Sequence, residues 1–221
     1  MRHIDRLPEP DILARKGKEW LASYEKAWAA DHSKRPDASK YRHKDIVATL
    51  INCSFNKCFY CETMLSDIKN QVEHFVEVAI DHTKAYEWTN LYLSCADCNC
   101  KLDHNKVPVD MALDPCRDSD EEIGRNLTFD RERAVSVAGS VKGPNTIRKF
   151  RLNEKGQPLR RSKWLRHIAE TVIEIQENMN SQGRQSPTDE ERELLRRFMQ
   201  PDQPYTLMST VYLNRIAAHL L

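Results

Sequence analysis

The sequence predicts an α+β fold, mainly α, with a small cysteine-stapled finger embedded among helices. Three observations carry that expectation. Two C-x-x-C pairs lie in the middle of the chain, apolar residues recur at helical spacing on both sides of them, and only six glycines occur in 221 residues. So few glycines argue against a turn-rich β-sandwich and against a glycine-loop nucleotide site, and neither G-x-x-x-x-G-K nor G-x-G-x-x-G is present. Hydrophobic residues at 40% and charged residues at 30% are enough for a packed core and too apolar for a disordered tail.

Taken in order, residues 10–30 read as a first helix, with Leu13, Trp20, Tyr24, Ala27 and Trp28 near one face. Residues 32–44 are polar and basic and read as a linker, and 45–53 as a short helix with Ile46, Leu50 and Ile51 apolar. Strand character appears at 71–76 and 90–93, and a helix is expected from 96 to about 104. Residues 127–129 and 134–137 can pair as a small hairpin. A short helix over 147–152 follows, then a long one over 158–180 with Leu165, Ile168, Val172, Ile175 and Met179 on one face. Ser181-Gln182-Gly183 breaks it. Thr188-Asp189-Glu190-Glu191 is a capping box opening the next helix, which ends before Pro201, and a last helix covers 206–220. Three regions result: 1–44, an N-terminal helix and basic linker; 45–155, the finger-bearing domain; and 156–221, a C-terminal helical region.

Charge is nearly balanced, with 34 basic and 33 acidic residues. The balance hides a segregation: residues 142–167 hold nine Lys/Arg against one acid, and 110–132 hold eight acids against three arginines. The basic stretch suits a phosphate backbone or a charged surface, and the acidic one a protein partner. Arg160, Arg161 and Lys163 are expected to face solvent as part of that track. No apolar run reaches membrane-helix length, and no apolar stretch follows Met1–Arg6, so a cytoplasmic location without a signal peptide is expected.

Cys58-Phe59-Tyr60-Cys61 and Cys95-Ala96-Asp97-Cys98 can close a tetrahedral four-thiolate site around structural Zn²⁺, because two residues between thiolates make a tight knuckle. Cys53, Cys100 and Cys116 lack a paired spacing and are expected to be buried or free thiols. Between the knuckles lie Val72-Glu73-His74-Phe75 and Trp88-Thr89-Asn90-Leu91, and Asn99 follows the second knuckle at once. A neutral histidine can accept a proton from water near pH 7, and Mg²⁺ needs only a few hard oxygen ligands because it keeps several waters.

The order C-x-x-C, acid-His, W-x-N-L, C-x-x-C-N resembles that of the HNH, or His-Me finger, nucleases, whose core is a ββα-metal motif. Further features are Tyr60-Cys61-Glu62, Asn105-Lys106-Val107-Pro108, Leu113-Asp114-Pro115 and the acidic run 118–122 leading into Leu127-Thr128-Phe129. With these, residues 46–155 look like the HNH proteins of Septu anti-phage systems (the PtuB family) and of retrons. The resemblance implies a metal-dependent endonuclease acting on DNA or RNA beside a PtuA-like ABC/AAA-type ATPase. It puts His74 at the general-base position, Asn90 at the position that orients the histidine ring, and Glu73 and Asn99 at the positions that hold a catalytic Mg²⁺ or Mn²⁺. Asp103, four residues after Asn99 and on the same face of the expected helix, is a further candidate ligand, matching the spacing of two ligands in the colicin-like branch. His82 and His104 are expected to be exposed and Trp88 to pack in the core. The family follows E-H-F with Pro-Lys, whereas Val76-Glu77-Val78 stands here, so one lysine contact to phosphate is missing, and the lysine after C-N is displaced to Lys101. The alternative is a non-catalytic zinc-binding adaptor for nucleic acid or for the ATPase.

Overall fold

Helix α1 (Asp11–Ala30) starts behind Pro10, whose fixed φ suits a helix entry, and buries Leu13, Gly17 and Tyr24. The computed structural model describes residues 1–66, 68–154 and 156–221. Trp20 and Tyr24 pack edge-on against Tyr86 at 5.8 and 6.4 Å between ring centroids, which ties α1 to the finger. The expected linker contains a helical turn, α2 (Ala38–Tyr41), capped by the Asp37 carboxylate on the Ser39 amide. Helix α3 (Lys44–Ser54) buries Ile46 and Leu50 completely and stops where Phe55 and Asn56 turn to positive φ.

Strands β1 (Asn70–His74) and β2 (Leu91–Cys95) pair antiparallel, from Asn70 opposite Cys95 to His74 opposite Leu91. Helix α4 (Ala96–Asn99) follows β2 directly. It is far shorter than the helix expected to reach His104. The chain leaves the helical path after Cys100, and the Leu102 amide donates to the Lys149 carbonyl instead of to the preceding turn. Asn99 and Asp103 therefore do not share a helical face.

The acidic segment holds a helix that periodicity did not reveal, α5 (Asp120–Asn126). Ser119 caps it, and Asp120, Glu121 and Glu122 sit in its first turn, where the helix dipole favours negative charge. Strands β3 (Leu127–Asp130) and β4 (Arg133–Ser136) form the expected hairpin, turning at Arg131 with φ of 51°. Helix α6 (Lys142–Lys149) begins five residues earlier than expected. Gly143 is required there, because a Cβ at that position would sit 2.1 Å from the Asn126 carbonyl oxygen.

Helix α7 (Gln157–Ser181) buries Leu165, Ile168, Val172 and Ile175 as its apolar spacing requires, and the chain turns after it at Gly183, φ 63°. The capping box opening α8 (Asp189–Arg197) forms in both directions, the Glu191 amide donating to Thr188 Oγ1 and the Thr188 amide to the Glu191 carboxylate. Helix α9 (Thr206–Ile216) closes the fold, ending four residues short of the expected 220 and followed by a short 3₁₀ turn. The architecture is thus α+β, mainly α, with two small antiparallel sheets. One core cluster draws residues from the N-terminal segment, the finger and the C-terminal helices alike. No described helix is long and apolar enough to cross a membrane.

The expectation that Arg160, Arg161 and Lys163 face solvent holds only for Lys163. Arg161 is 1% exposed, and Arg160 is half-buried in an ion pair with Asp97 at 2.8 Å. The Arg161 guanidinium donates to the Leu152 and Glu132 carbonyls and the Gln157 side chain and lies over the Phe129 ring. Helical spacing places a residue on a face but does not reveal carbonyls there that need donors.

Candidate metal centre and the adjacent His74 cavity

The first knuckle is made by a tight reversal after Cys58. The Glu62 amide donates to the Cys58 carbonyl, the Cys58 amide to the Thr63 carbonyl, and Glu62 adopts φ of 60°. The second knuckle is the start of α4, where Cys95 acts as N-cap and its sulfur accepts from the Cys98 amide at 3.4 Å. Register brings the two together. Cys95 ends β2, and the Phe59 amide bonds the Leu93 carbonyl in the same strand. The four sulfurs, all buried, lie within 4.8 Å of one another. Cys61 and Cys95 are 3.7 Å apart at sulfur, close to the ~3.8 Å edge of a tetrahedron with Zn–S bonds of ~2.3 Å. Four thiols at that spacing could hold a metal ion such as zinc. Gln157 at the start of α7 donates to the Cys98 sulfur at 3.4 Å, and Arg160 pairs with Asp97 inside the second knuckle. Of the remaining cysteines, Cys53 is buried, Cys116 half-buried with its thiol pushed up to about 12 by burial, and Cys100 exposed.

A cavity of about 230 Å³ opens beside this centre, lined by His74, Glu73, Asn99 and Lys101. The alternation of β1 sends Glu73 and His74 to opposite faces, but the strand ends at His74 and both residues still line the cavity. His74 Nε2 lies 2.8 Å from the Ala85 carbonyl. A carbonyl can only accept, so that nitrogen carries the proton and Nδ1 keeps its lone pair. Burial pushes the imidazole pKa down to about 4, the bond to Ala85 opposes this, and the Lys101 and Arg35 charges lower it further. His74 is therefore neutral at pH 7. The Tyr41 ring packs edge-on against it at 4.8 Å.

Asn90 makes its side-chain hydrogen bonds to backbone groups and none to the imidazole, which corrects the expected orienting bond. Its side-chain oxygen accepts from the Val76 amide at 2.7 Å, and its nitrogen donates to the Val76 and Lys84 carbonyls, each at 3.1 Å. It staples the chain after β1 to the turn carrying Ala85, and so acts on His74 through the carbonyl that holds Nε2.

Glu73 is buried. It accepts from the Tyr60 hydroxyl and pairs with Lys101 at 2.7 Å. Lys101 also donates to the His74 and Phe75 carbonyls. Burial raises the Glu73 pKa against the opposing pull of Lys101. Asn99 is exposed at the end of α4. Asp103 stands apart from the cavity lining, exposed and paired with Lys106 at 3.7 Å, so the expected third ligand is not brought to the site. Trp88 is in the core, as expected, and donates to the Leu7 carbonyl. His82 and His104 are half-buried rather than exposed, His82 because it stacks on Trp28 at 3.8 Å.

Several cavity residues had no signal in the sequence, Tyr41 among them. Glu77 lines the cavity from the loop after β1. One carboxylate oxygen bonds the buried Lys149 ammonium at 2.5 Å, and the other is buried without a hydrogen-bond partner. Arg35 and Arg42 come from the supposed linker. No spacing rule links these residues to His74; the turns around α2 and the loop after β1 bring them there. No protein-family model and no curated protein matches this chain.

Proposed function

We propose that this chain is a metal-dependent HNH endonuclease hydrolysing nucleic-acid phosphodiester bonds, and that it serves as the nuclease subunit beside an ATPase in an anti-phage complex. The observation that carries the reading is the state of His74: neutral, with Nε2 committed to the Ala85 carbonyl and Nδ1 left as acceptor, in a cavity shared with Glu73 and Asn99. In this reading the four-cysteine centre holds structural zinc. Its binding free energy is part of the folding free energy of the finger.

The residues around His74 suit a hard cation. The orphaned Glu77 oxygen is an acceptor without a donor, Glu73 keeps spare lone pairs beyond those used by Tyr60 and Lys101, and Asn99 offers an amide oxygen. Glu73, Asn99 and Glu77 would hold Mg²⁺ or Mn²⁺. A divalent ion bound there supplies charge neutralisation at the phosphate and the leaving oxygen. His74 Nδ1 removes one proton from water, the water oxygen forms the new P–O bond, and the old P–O bond breaks. The leaving alkoxide takes a proton from solvent, giving a phosphate monoester and an alcohol. Asn90 and Tyr41 keep the imidazole in place during the transfer.

The adaptor reading has its own observation. Glu73 is already bonded to Lys101 and Tyr60, as a purely structural carboxylate would be. Incubating the protein, alone and with its ATPase, with supercoiled plasmid and with total RNA in Mn²⁺ or Mg²⁺ separates the two. The nuclease reading expects cleavage that His74→Ala abolishes. No cleavage of either substrate, or equal cleavage by His74→Ala, supports the adaptor.

A further inference from the structure

The His74 cavity carries an imbalance of charge on one side. Three of its charged groups are matched: Lys101 pairs with Glu73, and Glu77 pairs with Lys149. Arg35 and Arg42 are not. Neither has a carboxylate partner among the described residues, and the single bond of Arg42 is a long one, 3.4 Å to the Gln71 side chain. Both side chains line the same cavity as His74 and bring two positive charges to it. An anion bound in the cavity would give both guanidiniums a charged partner.

The segment presenting them is fixed. Pro36 is buried, the Asp37 amide donates to the Tyr86 hydroxyl at 3.1 Å, the Asp37 carboxylate caps α2, and Tyr41 rests on the His74 ring. The backbone carrying both guanidiniums is thus held before a ligand arrives, which lowers the ordering cost of binding. Guanidinium donors match phosphate oxygens in pairs, which an ammonium does not.

Building on the nuclease reading, we infer that Arg35 and Arg42 form a phosphate clamp that receives a backbone phosphodiester of the nucleic-acid strand beside His74. The N-terminal segment, which lies outside the finger, supplies this contact. The ligand class is a phosphodiester of DNA or RNA, and the clamp does not read bases.

Binding measured without cleavage tests this. Fluorescence anisotropy of labelled duplex DNA and single-stranded RNA is recorded across a salt series in a His74→Ala background, with no divalent metal. Arg35→Ala/Arg42→Ala is compared with Lys163→Ala/Arg166→Ala, which removes equal charge from exposed positions on α7 outside the cavity lining. The cavity double variant should raise Kd about tenfold or more. It should also flatten the log–log salt slope by roughly 0.9 per lost contact on duplex and 0.7 on single strand. The α7 pair should change little, and Arg35→Lys/Arg42→Lys should fall between wild type and alanine. Equal weakening by both double variants, an unchanged salt slope, or no binding of either nucleic acid by the parent protein overturns the clamp. The two readings fail separately. Cleavage by wild type with arginine-independent binding removes the clamp alone, and arginine-dependent binding without cleavage removes the nuclease alone.

Discussion

His74 is held by its bond to the Ala85 carbonyl and by the Tyr41 ring. His74→Ala should lower the cleavage rate by ~10²–10⁴-fold, the usual loss of a general base, with nucleic-acid affinity nearly unchanged. Plasmid nicking and anisotropy on the same preparation check both halves. Asn90→Ala leaves the Val76 amide and the Val76 and Lys84 carbonyls without their side-chain partner. Each such group, where buried, costs ~1–3 kcal/mol, so the melting temperature should drop along with activity. Asn90→Asp keeps the acceptor for Val76 but neither donor, and should restore only part of the stability. Were Asn90 bonded to the imidazole itself, activity would fall with no loss of melting temperature. Glu73, His74 and Asn99 were legible in the sequence because the motif order marks them, and all three line one cavity. The role of Asn90 was not legible, because its partners are backbone groups of a turn whose path no side-chain pattern encodes.

The two halves of the finger meet through the cysteines, the β1–β2 pair and the contacts of Phe59 and Tyr60 with β1 and β2. The Cys95 sulfur caps α4, so loss of the site also removes the cap of the helix that carries Asn99. Elemental analysis should give about one zinc per chain. Cys58→Ser or a strong chelator should abolish hydrogen-exchange protection across β1 and β2 before it affects α7 and α8, because structural zinc binding is coupled to folding. Folded, metal-free protein with protected β1 and β2 amides contradicts this. Among the helices, α7 and α8 were legible to within a residue or two, since a long apolar stripe and a two-way capping box are local signals. Thr188→Ala should cost ~1 kcal/mol, read as a shift in denaturation midpoint with unchanged slope. The short α4, and α5 inside its acidic run, were not legible. The Leu102–Lys149 bond that diverts the chain after α4 joins residues far apart in sequence, and α5 buries only Ile123, too little to show a period.

At the scale of the molecule, Arg161 is a joint between parts that sequence reading kept separate. Its guanidinium reaches Leu152 after α6 at 2.7 Å, Glu132 in the hairpin turn at 3.3 Å and Gln157 on its own helix at 3.2 Å, while Phe129 of β3 lies beneath it. Gln157 in turn donates to the Cys98 sulfur, so the joint runs from the hairpin through α7 to the metal centre. A charge this deep is tolerated because its two terminal nitrogens meet two main-chain carbonyls and an amide oxygen. Arg161→Ala leaves those acceptors unpaired and opens a void, and should cost ~3 kcal/mol or more. For a chain of this size that is a fall of roughly 6–12 °C in melting temperature. Arg161→Met restores volume but no donor, and should recover only the packing share. Lys163→Ala, two residues along the same helix but exposed, should stay within about 0.5 kcal/mol of wild type. Differential scanning calorimetry of the three variants decides between a joint and a surface track. As a joint, Arg161 dominates stability while Lys163 is silent. As a surface track, both alanine variants would melt alike and differ from wild type only in the salt dependence of nucleic-acid binding.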